Sequence, residues 1–225
     1  MKKYFEILQK CPLFLNIEAD HLMQILHCLD VKVVSFKKKE VVISEGSPAK
    51  YFGIVLCGSV QTVQIDYLGN RSIISGYGPS EMFCESFACA GVENVPVSAV
   101  ASEDCRVMFV ECSKVLCSCA KACSFHRLMI FNLMRDVAEK NIMFHRKIEI
   151  TSKRSTREKL FTYLLQEAKK NGSNSFNIPY DRQELADYLE VERSGLSSEI
   201  GKMRADGLIE SRKNHFRLCT AISER

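Results

Sequence analysis

Residues 181–203 read DRQELADYLEVERSGLSSEIGKM, and the organisation of the chain follows from this stretch. Asp181-Arg182-Gln183-Glu184 is a capping box: the Asp181 side chain accepts an amide of the first turn, and Glu184 returns the bond to the cap. Leu185, Ala186, Leu189, Val191, Leu196 and Ile200 place apolar groups inward from two helices crossing at a steep angle, with a tight break near Glu190. Small Ala186 lets the two backbones approach at the crossing. Outward at the start of the second helix stand Arg193, Ser194, Ser197 and Ser198. A helix that enters a major groove by its N-terminal end needs short polar groups and an arginine there, because arginine reaches the O6 and N7 of guanine together. Arg182, Gln183 and the amides that open the first helix suit phosphate, which sets register without reading sequence. The same residues also fit a structural helix-turn-helix with a solvated polar face.

The flanking residues complete a small unit. Ser155-Thr156-Arg157-Glu158 is a second capping box, opening a helix that runs to about Lys170 and stops at Asn171-Gly172-Ser173. A short strand is expected at Phe176 to Pro179. After Asp206-Gly207 two β-runs, Leu208 to Ser211 and Phe216 to Leu218, are joined by Arg212-Lys213-Asn214-His215. Three helices and a hairpin in that order make a winged helix-turn-helix, with Lys213 on the wing as a further DNA contact. Charge agrees: residues 1–116 carry 11 Lys and Arg against 13 Asp and Glu, whereas residues 117–225 carry 20 against 14, so the basic excess lies in the half that would meet phosphate.

Between Ser113 and about Ile150 there is neither Gly nor Pro, and Cys123, Arg127, Ile130, Met134, Val137, Asn141, Phe144 and Ile148 recur at alternating spacings of 4 and 3. That is a heptad seam for two helices lying side by side, with Asn141 setting register. A long amphipathic helix docked on its own β-domain is the other reading. Upstream, Val31 to Phe36, Val41 to Ser44, Tyr51 to Leu56, Val60 to Tyr67, Arg71 to Tyr77 and Arg106 to Val110 read as short strands. Glycine-bearing turns at Gly46, Gly58 and Gly69 separate several of them, which argues a double-sheet jelly roll or barrel. Tyr4 to Leu29 has helical spacing and packs on that barrel. The expected class is therefore α+β: a β jelly roll over residues 1–116, a dimerisation helix over 117–150 and a winged helix-turn-helix over 151–225.

The order of parts resembles the catabolite-activator and fumarate-nitrate-regulator (Crp/Fnr) class of bacterial transcription factors. The resemblance rests on Glu45-Gly46, Tyr51-Phe52, the run Val55 to Val60 and Asp66-Tyr67-Leu68-Gly69 in the first half. In the second half it rests on Arg182-Gln183-Glu184-Leu185-Ala186, Val191 through Ser197 and Asp206-Gly207-Leu208-Ile209. It implies a cyclic-nucleotide-binding-like jelly roll, a homodimer, a palindromic operator on double-stranded DNA, a small effector, and RNA polymerase as a partner. Two positions depart from the family pattern. Glu190 stands where the turn usually has glycine, and Ser198 stands where the recognition helix usually has arginine, so the operator differs from the commonest half-site.

The family's phosphate cassette is similar to Gly-Glu followed later by Arg-Ser/Thr-Ala. The corresponding stretches are Cys84-Glu85-Ser86 and Val97-Ser98-Ala99: Glu85 and Ser98 remain as effector-pocket residues, without the glycine or the arginine. A cyclic phosphate would lack its cation, so the effector is read as something other than cyclic AMP, and no cofactor is assigned.

Eleven cysteines are many for 225 residues. Glu6, Gln9 and Lys10 interrupt any leader-like apolar stretch, and no run reaches the roughly 18 apolar residues of a membrane span, which places the chain in the cytoplasm with reduced thiols. Cys119, Cys123 and His126 share one helical face that could ligate a metal, and Cys112 and Cys117 lie close in sequence. Their spacing matches no established metal signature, and free cysteine is also a good small core residue, so no metal site is assigned. A cysteine-based redox or metal sensor of the same family remains an alternative, as does a small-molecule-binding module whose winged helix contacts protein. No nucleophile–base motif is present, so the chain is not expected to be an enzyme.

Overall fold

The structure, a computed structural model, describes residues 4–117 and 124–219. It has two compact units, Met1–Asn141 and Ile142–Arg225.

The first unit opens with α1 (Phe5–Lys10), a 3-10 turn (Pro12–Phe14) and α2 (Ala19–Cys28). Eight strands follow: β1 (Lys32–Phe36), β2 (Val41–Ile43), β3 (Tyr51–Cys57), β4 (Val60–Ile65), β5 (Arg71–Tyr77), β6 (Met82–Phe83), β7 (Ser98–Ala101) and β8 (Cys105–Glu111). They form two antiparallel four-stranded sheets ordered β1-β8-β3-β6 and β2-β7-β4-β5, the jelly roll expected from sequence. A short α3 (Glu85–Ala90) links β6 to β7, and α4 (Cys112–Leu116) follows β8.

β3 lacks the polar alternation of a one-faced strand because both of its faces are covered. Phe52, Ile54 and Leu56 join Met108 and Val110 against a helical layer that includes Leu8, Phe14, Leu26, Met129 and Leu133. Val55 and Val107 face the opposite sheet, packing with Val60, Tyr77, Phe83, Val97 and Ala99. The turn glycines behave as their residue type requires: Gly58 has φ +74°, and a Cβ there would fall 2.3 Å from the Asp104 carbonyl oxygen.

A long helix, α5 (Ser124–Thr151), leaves the first unit and enters the second. The second unit continues with α6 (Thr156–Asn171), β9 (Ser175–Asn177), α7 (Arg182–Leu189), α8 (Arg193–Ala205), β10 (Ile209–Arg212) and β11 (His215–Leu218). Its three strands are ordered β10-β11-β9. Both capping boxes are present with both reciprocal bonds, Ser155 with Glu158 and Asp181 with Glu184. Gly172 closes α6 in the left-handed conformation.

Besides the two-residue β6, the elements differ from the sequence expectation in three places. β7 was not anticipated, because Ser98-Ala99-Val100-Ala101 lacks the bulky β-formers that mark strands; small residues suit its place between β2 and β4, where Ala99 and Ala101 are fully enclosed. The turn into α3 is made by Cys84 at φ +63°, a conformation that gives no sequence signal when the residue is not glycine. The helical run from Ser113 is also not continuous with the long helix: α4 stops at Leu116 and Cys117 is extended.

Candidate nucleic-acid interface and sensor cassette

In the second unit the two helices at Arg182–Leu189 and Arg193–Ala205 bury what the sequence assigned to their crossing. Leu185, Ala186, Leu189, Leu196 and Ile200 are enclosed, joined by Met203, while Val191 is half-buried. The turn between them is closed by the Val191 amide donating to the Ala186 carbonyl at 3.1 Å. Glu190 there takes φ +54°, ψ +57°, the left-handed conformation that explains why glycine is the usual residue.

The opposite face of α8 is the candidate interface. Arg193, Ser194, Ser197 and Ser198 are all exposed, and so are Gly195 and Gly201, which sequence reasoning passed over. A Cβ at Gly201 would meet nothing within 4 Å, so internal packing does not require glycine there. Arg157 anchors α8 from behind, pairing with Glu199 at 3.5 Å and with Asp206.

Arg182 is half-buried. One guanidinium nitrogen donates to the Lys213 carbonyl at 3.3 Å, and its carbon lies 5.6 Å from the centre of the Phe216 ring. Burial, helped by the positive charge of Arg193, pulls its pKa below the ordinary arginine value. The side chain thus ties α7 to the wing while adding charge beside Arg193. Lys213 is exposed in the wing turn at φ +55°. Gln183 is exposed, with its amide donating to Asp187 at 2.8 Å.

Behind this face lies an aromatic group that sequence did not reveal, because its members are distant along the chain. The Tyr180 and Tyr188 rings stack at 4.9 Å, and Tyr163 lies 5.4 Å from Tyr188. Lys147 of α5 is buried against them: its ammonium sits 3.8 Å from the Tyr188 ring centre and donates to the Tyr188 carbonyl. Desolvation, opposed by Glu190, lowers its pKa to about 8.

In the first unit the cassette is turned inward. Cys84 and Val97, at the positions of the absent glycine and arginine, belong to one apolar cluster with Tyr77, Phe83 and Ala99. Phe83 fills the space over Gly53, where a Cβ would lie 2.1 Å from its ring. Ser98 accepts a hydrogen bond from the Glu45 amide at 3.1 Å. Glu85 is only 2% exposed and faces Lys140 of α5 at 3.0 Å. The Lys140 ammonium also meets Asp136 at 2.8 Å and donates to the Met82 carbonyl at 2.7 Å. Burial alone would lower the pKa of Lys140, but the Glu85 and Asp136 carboxylates prevail and raise it. Burial pushes the Asp136 carboxyl up. No signal in the sequence pairs Glu85 with Lys140, since the two are separated by 55 positions.

Cys119 and Cys123 lie outside the described residues. His126 is buried, with Nε2 3.2 Å from the Lys114 carbonyl oxygen. Among the described residues, no three His, Cys, Asp or Glu side chains are grouped so as to hold a metal ion.

A β jelly roll with a cassette-like turn, followed by a long helix and a winged helix, defines an effector-domain regulator that binds DNA. Comparison with known proteins agrees at both ends. A cyclic nucleotide-binding domain model matches residues 33–117, and a Crp-like helix-turn-helix domain model matches residues 158–220. The transcriptional activator protein FnrA of Stutzerimonas stutzeri is 22% identical over 216 residues, covering 94% of this chain and 85% of that protein. Among solved structures, the c-di-GMP responsive regulator CLP of Xanthomonas campestris aligns with a TM-score of 0.74 at 15% identity, over 91% of this chain and 100% of that one. FixK2 of Bradyrhizobium japonicum aligns at 0.66 and 20%, over 84% and 93%. The chain belongs to the Crp/Fnr family: it is a transcription regulator with an effector-binding domain and a DNA-binding helix-turn-helix.

Proposed function

We propose that this regulator works in the cytoplasm as a homodimer on a palindromic operator, with α8 in the major groove and RNA polymerase as its downstream partner, and that it acts by binding rather than as an enzyme. Residues 1–116 form the sensor, the span 117–150 supplies the dimer contact through α5, and 151–225 form the DNA-binding unit. The observation that carries the reading is the exposed row Arg193, Ser194, Ser197 and Ser198 above the enclosed Leu196, Ile200 and Met203, flanked by Arg182 and Lys213. Arg193 reads a base. Arg182, Gln183 and Lys213 set register on phosphate. Arg193→Ala is expected to cost roughly 1–3 kcal/mol and to relax preference at one base pair per half-site. Arg182→Ala should weaken all sequences about equally. Selection from a randomised duplex library measures both, and a uniform loss in the two variants would make Arg193 a phosphate contact.

The effector in this reading is not a cyclic nucleotide. Lys140 faces two carboxylates, so the group has no positive charge to spare for a phosphate, and Val97 supplies none. Millimolar cyclic AMP or cyclic GMP should leave the melting temperature and duplex affinity unchanged, because a ligand stabilises only in proportion to its occupancy of the native state. Tight binding of either nucleotide in calorimetry would overturn this.

A further inference from the structure

We propose that Cys89 and Cys112 form a reversible oxidation site, at which a hydroperoxide closes a disulfide between α3 and α4. Their sulfurs are 3.6 Å apart, in hydrogen-bond contact, on two helices that are 23 positions apart in the chain. A disulfide needs the sulfurs to approach by only about 1.5 Å more, within the reach of side-chain torsions and a small helix shift. Their environments are complementary. Cys112 is 3% exposed, in the helical layer against the sheet, whereas Cys89 is half-buried and open to a small oxidant. The contact also separates their acidities: either sulfur can donate, and the one that accepts is held below the usual thiol range while the donor is held above it. Cys11, Cys84 and Cys105, also buried, are all raised, to about 12, 12 and 11.

The chemistry balances with a hydroperoxide as oxidant. The Cys89 thiolate, on the sulfur the oxidant reaches, attacks the terminal peroxide oxygen, the O–O bond breaks and hydroxide or alkoxide leaves, giving a sulfenic acid. The Cys112 sulfur then attacks the Cys89 sulfur, the S–O bond breaks and water departs with the Cys112 proton. Two thiols lose two electrons in all, and the peroxide is reduced to two molecules of water, or to water and an alcohol. α3 begins at Glu85, one helical turn before Cys89, so closing the bond acts on the helix that carries the Lys140 ion pair.

The test uses the full reduced chain with one equivalent of hydrogen peroxide, followed by alkylation of free thiols, digestion and mass spectrometry. A Cys89–Cys112 cross-linked peptide is expected ahead of oxidation at exposed Cys28, Cys57, Cys117 and Cys219, and dithiothreitol should reverse it. In Cys112→Ser, the linked peptide should be lost and Cys89 trapped by a sulfenic-acid reagent. Cys89 and Cys112 both recovered as free thiols after the exposed cysteines have oxidised would overturn the proposal, as would either one linked elsewhere. Because the readout is a covalent bond in the wild-type chain, it stands or falls separately from DNA recognition.

Discussion

Glu190 carries a cost that the fold imposes on one residue. A non-glycine residue in the left-handed region is disfavoured by about 1–2 kcal/mol, because its Cβ crowds the following carbonyl. Glu190 offsets little of this through its side chain, which is exposed; it is the backbone carbonyl that accepts from Lys159 at 3.2 Å, and glycine would keep that bond. Glu190→Gly is therefore expected to raise stability by roughly 0.5–1 kcal/mol with DNA preference unchanged, as read by chemical denaturation and by binding to the selected operator. A loss of stability would mean that the carboxylate matters more to the buried Lys147 ammonium than the strain does to the turn. Cys84 takes the same conformation, but its side chain is enclosed in the core, so removing it would open a cavity as well as relieve strain.

At the scale of an element, α5 reconciles the two readings its sequence allowed. One stripe, Met129, Leu133 and Asp136 with half-buried Lys140, faces the first unit, and Asn132 donates to the carbonyls of Leu13 and Leu15 at 3.1 and 2.9 Å. A different stripe, Ile130, Phe131 and Met134, stays exposed. The heptad count found the exposed stripe and missed the docked one, because the latter is built around a salt bridge and an amide rather than around apolar residues alone. The same cause limited the cassette: local chemistry identified Cys84, Glu85, Val97 and Ser98, but the partner of Glu85 is set by tertiary packing. The winged helix was far more legible, since capping boxes, glycine stops and alternating burial are written within a few residues of where they act. Further along α5, Lys147 gives the second unit a pH dependence. Its folded pKa of about 8 lies below the unfolded value of 10.5, so between them the unfolded state binds more protons and stability rises with pH. Relative to Lys147→Met, the melting temperature of the wild-type chain should climb from about pH 8 to about 9.5; the buried thiols, raised to about 11 to 12 in the fold, oppose the rise equally in both proteins. Parallel profiles for the two proteins would remove Lys147 as the source.

At the scale of the whole molecule, the exposed stripe of α5 suits the proposed homodimer. Met134 is 62% exposed, Ile148 60% and Ile130 38%, all on seam positions, and a row of bare apolar residues along one helix is the pattern a parallel helix from a second copy would cover. Operator recognition gives a reason for that copy: one α8 presents a single short polar row, and two of them related by a two-fold axis engage both halves of a palindrome in one binding event. Because Ile130 and Met134 are exposed and belong to neither buried cluster of the first unit, replacing both by glutamate tests the interface without opening the core. Ile130→Glu with Met134→Glu should sediment as a monomer, since four like charges would otherwise be buried along the two-fold seam, while keeping its helical circular dichroism spectrum. Its affinity for a full palindrome should fall to that for an isolated half-site. A double variant that stays dimeric would move the interface off this stripe. A monomer that still held the palindrome as tightly as wild type would break the link between the seam and DNA recognition.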